Sequence, residues 1–205
     1  MKLIAESENL QDYLVEFPPI IEFSQDEIQS LIQSIKKQNN DSKKQAELAF
    51  NWVRDEIIHS FDSENPAVTI NAKDVWLQKN GICFAKAHLL ASLLRGLGIP
   101  TGFCYQRVLR ISKEVNSGWA LHGLNAVYFT DTGWFRLDPR GNKVGINSQF
   151  SINPEMLAYP IRENLGEIDY PTIYVRPLTA VIESMTLSTS TQDLFFNRPD
   201  RIEER

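Results

Sequence analysis

The chain has 205 residues, 42% of them hydrophobic and 23% charged, and a net charge of −5; this composition suits one folded domain with its own core and leaves little room for two. The charges are dispersed, with no basic stripe and no long run of one sign, so a phosphate backbone would be repelled and nucleic acid is excluded as a partner. There is no run of about 18 apolar residues to enter a membrane, and Met1 to Asp12 carries Glu6, Glu8 and Asp12 in place of an apolar leader segment, so the expectation is a cytoplasmic protein whose two cysteines, Cys83 and Cys104, stay thiols.

Phe17-Pro18-Pro19 closes an irregular opening stretch, because neither proline continues a helix. Ser24 to Glu27 reads as a capping box. It opens a helix with Ile28, Leu31, Ile32 and Ile35 on one face, which Asn39, Asn40 and Asp41 end. A second helix is expected from Ser42 to His59, buried along Ala46, Ala49, Phe50, Val53 and Ile57. A loop from Asp62 to Ala67 turns at Asn65-Pro66, Asn71 caps a short helix through Val75, Trp76 and Leu77, and Asn80-Gly81 forces a turn. Cys83 to Leu97 is the most apolar helix of the chain, with only Lys86, His88, Ser92 and Arg95 polar, so it reads as a buried central helix. Gly98 is placed to end it in the left-handed conformation, and Pro100 follows as a stop.

The period then changes to two. Phe103–Ile111, Leu121–Phe129 and Trp134–Leu137 are expected as strands, the last two joined by the turn Thr130-Asp131-Thr132-Gly133. Tyr170–Val175 reads as a strand and Leu178–Met185 as a short helix. Helices first and an antiparallel sheet after give the class α+β.

Cys83 opens the buried helix, where free N–H groups and the positive dipole end favour a thiolate and can hold an oxyanion. Cys104, between Phe103 and Tyr105, reads as a core thiol. A thiol nucleophile needs a base. Of the three histidines, His59 ends a helix, and His88 lies five residues past Cys83, about 140° around the helix and out of reach. His122 opens the second strand after the Asn116-Ser117-Gly118 loop and is left as the candidate. Asp138 ends the third strand. If Thr130 to Thr132 is a three-residue turn, Leu124 faces Asp138, and His122 shares its face one diagonal step away, roughly 7–8 Å; a two-residue turn would put the two on opposite faces. No CxxC or HxxxH spacing suggests zinc, and no phosphate-binding glycine loop suggests a nucleotide, so no cofactor is expected.

Gly81-Ile82-Cys83-Phe84-Ala85-Lys86-Ala87, the helix through Leu94-Arg95-Gly96-Leu97-Gly98-Ile99-Pro100, His122, and Trp134-Phe135-Arg136-Leu137-Asp138-Pro139 resemble the transglutaminase-like superfamily. Phe50 to Ile57 resembles the helix that precedes the family's cysteine, and the likeness covers about residues 42–145. It implies a papain-like core, a cysteine on a central helix against an antiparallel sheet, with Cys83 as nucleophile, His122 as base and Asp138 as the orienting carboxylate. The chain is expected to divide into an N-terminal helical extension (1–41), a catalytic domain (42–187) and a tail (188–205) that, being polar, is expected to be loosely held. Family members include protein crosslinkers, peptide N-glycanases, and bacterial proteases or amidases. Where the family often reads His-Ala-Trp-Val-Glu, this chain has His122-Gly123-Leu124-Asn125-Ala126. Gln78, Trp76 and Gln106 are candidates for a second oxyanion donor. The implied reaction is acyl transfer on a peptide or amide through a thioester, with water as acceptor; the alternatives are amine transfer and a non-catalytic binding module on the same fold.

Overall fold

Residues 1–63, 65–112 and 115–203 are described by a computed structural model. Helices α1 (Asp26–Gln38) and α2 (Ser42–Glu56) follow a short strand, β1 (Ile4–Ala5). Then come β2 (Ile58–His59), α3 (Ser60–Ser63), α4 (Ala72–Gln78), β3 (Asn80–Gly81) and the central α5 (Cys83–Gly96). The second half holds β4 (Thr101–Ser112), β5 (Val115–Phe129), β6 (Gly133–Leu137), β7 (Ile168–Asp169) and β8 (Thr172–Ile173), and ends in α6 (Thr179–Leu187) and α7 (Thr191–Asn197). Antiparallel strands in the order β6-β5-β4-β7 form the sheet. The α5 helix lies between α1, α2 and α4 on one side and β4 and β5 on the other. The fold is α+β, a central helix packed on an antiparallel sheet.

Every residue of α5 from Cys83 to Arg95 is buried, and each leucine fully removed from water there contributes roughly 1.5–3 kcal/mol. Three of its four polar side chains reach out to carbonyls of surrounding loops, since buried polar groups need partners. Lys86 Nζ donates to the Arg54 and Ile57 carbonyls at the end of α2. His88 Nδ1 meets the Ile70 carbonyl at 2.7 Å. Arg95 donates to Thr101 O (2.8 and 3.1 Å), Val15 O (2.7 Å) and Val175 O (2.6 Å). Gly98 takes φ +80° directly after the helix.

Several expectations need correction. The capping box does not form: α1 begins at Asp26 with Gln25 as its cap and no side-chain cap bond, because the Ser24 N–H is taken by the Glu16 carboxylate at 2.6 Å. The second helix stops at Glu56, and His59 belongs to a strand. The left-handed residue before the central helix is Lys79 (φ +50°) rather than the Asn80-Gly81 pair. Asn80 and Gly81 run parallel to Ile58 and His59. Asn80 is buried there and donates to Ser60 Oγ at 2.8 Å. A Cβ on Gly81 would come within 3.1 Å of both Ala85 Cβ and Thr69 Oγ1. Asn116, Ser117 and Gly118 are part of β5, not a loop, and His122 sits mid-strand opposite Gln106. The expected 170–175 strand is reduced to β8, which pairs with β1. Glu64, within the expected 62–67 loop, lies outside the described residues, as do the last two residues of the tail.

The tail is not loosely held. Leu194 is fully buried, the Thr191 N–H donates to the Pro66 carbonyl at 3.0 Å, and the Leu121 N–H of β5 donates to Pro199 O at 2.6 Å. The Phe195-Phe196 pair supplies the apolar surface that a polar tail would lack; Phe195 meets Phe61 edge-on at 5.2 Å. No helix among the described residues is long and apolar enough to cross a membrane.

Candidate active site

The β5–β6 turn has three residues: Phe129 pairs with Gly133 and Asn125 with Leu137. His122 and Asp138 therefore fall on one face, as the odd turn length requires. His122 Nε2 meets Asp138 Oδ2 at 2.8 Å, and both side chains are almost wholly buried. The carboxylate is fixed further by backbone donors, the Ala158 N–H at 3.0 Å and the Arg140 N–H at 3.1 Å. The Tyr159 ring packs edge-on against the imidazole at 4.8 Å. With Nε2 engaged, Nδ1 is the nitrogen left for the sulfur, and Cys83 at the start of α5 lines the same cleft as the ring and feels its charge. At Gly123 the β5 strand runs very close to α5, and glycine permits it: a Cβ at position 123 would lie 2.5 Å from Phe84 Cδ1. The departure from the family's His-Ala pattern thus fits a phenylalanine directly after the cysteine.

The electrostatics follow the contacts. Burial opposes charge on Cys83, but the His122 ring, the Arg198 guanidinium and the Gly123 N–H outweigh it and hold the thiol below its ordinary 9.0. Burial likewise opposes an imidazolium, yet Asp138 and the sulfur hold His122 well above 6.5. Burial would raise Asp138, and the His122 charge with the hydrogen bonds lowers it instead. The three shifts run together, each group favouring the charged form of its neighbour. Both cysteines are free, and burial pushes Cys104 up to about 12.

Cys83 and His122 open on a cleft of about 530 Å³. None of Gln78, Trp76 and Gln106 lines it. Trp76 stacks on Trp52 at 4.8 Å, and Gln106 Nε2 turns to Asp169 at 3.4 Å. The cleft is instead lined by His59, Arg140 and Arg198, which the sequence reading did not single out. His59 Nδ1 accepts from the Phe61 N–H at 3.3 Å. Burial, then the Arg140 and Lys86 charges, keep this ring well below 6.5, so it is neutral with its proton on Nε2. Its position comes from the parallel β2–β3 pairing, which leaves no mark in the sequence. For Arg198 the available signal was an aromatic pair just ahead of it in an otherwise polar tail. Among the described residues no three His, Cys, Asp or Glu side chains converge as metal ligands would.

A family model described as the transglutaminase-like superfamily matches residues 29–139. No curated protein matches the chain. Among solved structures it is similar to a candidate cysteine protease from Cytophaga hutchinsonii, at 17% identity over 65% of this chain and 43% of that one, with a TM-score of 0.47. It is similar also to the periplasmic domain of TgpA from Pseudomonas aeruginosa, at 17% identity over 65% of this chain and 48% of that one, TM-score 0.47. A TGase is similar at 16% identity over 87% of this chain and 52% of that one, TM-score 0.45. The chain thus spans about half the length of these proteins.

Proposed function

The chain belongs to the transglutaminase-like superfamily, whose family-level chemistry is cysteine acyl transfer, and on that premise we propose that it is a thiol hydrolase acting on amides or peptides. The Cys83 thiolate attacks the carbonyl carbon. The N–H groups of the first turn of α5, which have no acceptor within the helix, receive the developing oxyanion. His122 gives its proton to the departing amine, leaving a thioester on Cys83, and then takes a proton from the water that hydrolyses it. Asp138 holds the imidazole in the orientation that presents Nδ1 to the sulfur. The observation that supports this reading is the buried Asp138–His122 pair facing the same cleft as Cys83 at the N-terminus of a buried helix.

Hydrolysis and amine transfer share every step up to the thioester, so the acceptor separates them. The protein is incubated with a glutamine peptide and a labelled amine. Amide cleavage without incorporation, lost in Cys83→Ala, is the expected result; incorporation lost in the same variant would reassign the chain to amine transfer. A Cys83 that alkylates with iodoacetamide at neutral pH no faster than a free thiol would instead favour a non-catalytic binding module.

A further inference from the structure

The charge of the cleft runs against that of the chain. The chain carries −5 overall, yet five cationic side chains line the cleft against two carboxylates, Asp62 and Glu167. Both carboxylates are already engaged. Asp62 accepts from Arg140 at 3.1 Å and Lys143 at 2.6 Å, and Glu167 is paired with Arg162. Arg110 places its donors on the Ser117 and Phe196 carbonyls at 2.9 and 2.7 Å.

Arg198 remains. A guanidinium has five N–H donors in a rigid fork. In Arg198 the Nε is buried without an acceptor, and the side chain's one protein bond among the described residues is a 3.4 Å contact to the Phe195 carbonyl. The Phe61 and Phe195 rings lie 4.9 and 5.0 Å from its Cζ and hold the group in place. Its neighbour Pro199 is tied to β5 through the Leu121 N–H, one residue from His122. Its charge also reaches the Cys83 sulfur, where it favours the thiolate. A half-buried, under-bonded cation with its Nε out of water, on the same cleft as the reacting sulfur, is costly to maintain unless an anion completes it.

We propose that Arg198 binds a carboxylate carried by the substrate next to the reacting carbonyl, so that the site selects amides with an anionic substituent. The proposal rests on Cys83 being the nucleophile, and its test separates the two. Alkylation rates of the full chain are measured with iodoacetate and iodoacetamide, which react by the same displacement of iodide and differ in charge. The ratio of the two rates at Cys83 is expected to exceed that of a free thiol by about tenfold, since a charge pair within a few ångströms at a partly shielded site is worth at least that factor. It is expected to fall by about tenfold in Arg198→Gln, and to persist in Arg198→Lys and Arg110→Gln. An unchanged ratio in Arg198→Gln overturns the proposal while leaving the nucleophile intact. A wild-type Cys83 that reacts with neither reagent faster than a free thiol overturns both.

If Arg198→Gln does not fold, protection of wild-type Cys83 against iodoacetamide decides. N-acetylaspartate amide carries its carboxylate on the side chain, N-acetylalanine carries it at the chain end, and N-acetylasparagine amide has none. The better protector of the first two identifies the source of the carboxylate; protection by neither beyond the neutral compound overturns the proposal.

Discussion

Replacing Gly123 by alanine would put a methyl carbon 2.5 Å from Phe84 Cδ1 and 3.1 Å from Cε1. The phenyl ring cannot swing away cheaply, because Phe84 is 1% exposed and its ring packs 6.3 Å from that of Tyr105. Relief must come from separating β5 from α5. Overpacking of this kind costs about 1–3 kcal/mol, and in a chain of this size each kcal/mol lowers Tm by about 2–4 °C, so a fall of roughly 2–12 °C is expected. The same shift moves His122, next to Gly123 on β5, away from the end of α5 that bears Cys83. A displacement of about 1 Å at a reacting pair costs on the order of a hundredfold; half of that should slow alkylation of Cys83 by iodoacetamide about tenfold at neutral pH. Phe84→Leu removes the obstructing ring atoms, so the Phe84→Leu/Gly123→Ala double variant should recover much of the alkylation rate. The two readouts are differential scanning calorimetry and the second-order alkylation rate. If Gly123→Ala keeps both the wild-type Tm and the wild-type rate, the argument that strand-to-helix closeness sets the thiolate–imidazolium contact is refuted.

Asp138→Asn removes the anion that sustains the imidazolium, so the acid limb of the Cys83 alkylation profile should move to higher pH and the rate at pH 6 should drop by about tenfold or more; an unmoved limb would separate Asp138 from the pair. Because the folded Asp138 titrates below its ordinary 3.8, its stabilising contribution is present above that value and is lost as pH falls through the folded pKa, and acid unfolding of Asp138→Asn should lack this component. Burial holds Cys104 up at about 12, so a disulfide reagent at pH 8 should titrate one thiol in the native protein and two after unfolding. Lys86 is brought down to about 7, by burial first and the Arg140 charge second. Between pH 7 and 10 the unfolded chain holds that proton and the folded one does not, so stability relative to Lys86→Met should rise with pH, by at most about 1.4 kcal/mol per unit; parallel stability curves would place the proton elsewhere. Arg95→Met strands the Thr101, Val15 and Val175 carbonyls and should cost about 3 kcal/mol in urea unfolding, with the Cys83 alkylation rate of the folded fraction unchanged.

Much of the architecture was legible from local pattern. The buried stripes of α1 and α2, the nearly all-apolar α5, the Gly98 stop and the strands around a Thr-Asp-Thr turn each depend on contacts a few residues apart, and the sequence spells these out directly. The pairing of His122 with Asp138 was legible up to one condition: side-chain parity across a hairpin follows from the number of turn residues, and the sequence left two or three open. Its failures were also local signals overridden from afar. Ser24 lost its capping role to the Glu16 carboxylate, and Asn80-Gly81 became a strand through parallel pairing with Ile58-His59, where a Cβ at position 81 would crowd Thr69 and Ala85 at 3.1 Å.

The amino-acid order alone determined most of the helices and strands, that a cysteine begins the central helix, and that one histidine and one aspartate share a face of the sheet if the turn between their strands has three residues. Only the folded chain decided that β5 runs close against α5 at Gly123 and Phe84, that His59 is carried into the cleft by a two-residue parallel strand, and that the polar tail returns to bring Arg198 into the cleft of Cys83 and His122. Periodicity and turn chemistry are properties of neighbouring residues. The distance between two packed elements depends instead on side chains of both at once, here a missing Cβ at Gly123 matched to a ring at Phe84, and no single stretch of the chain records that match.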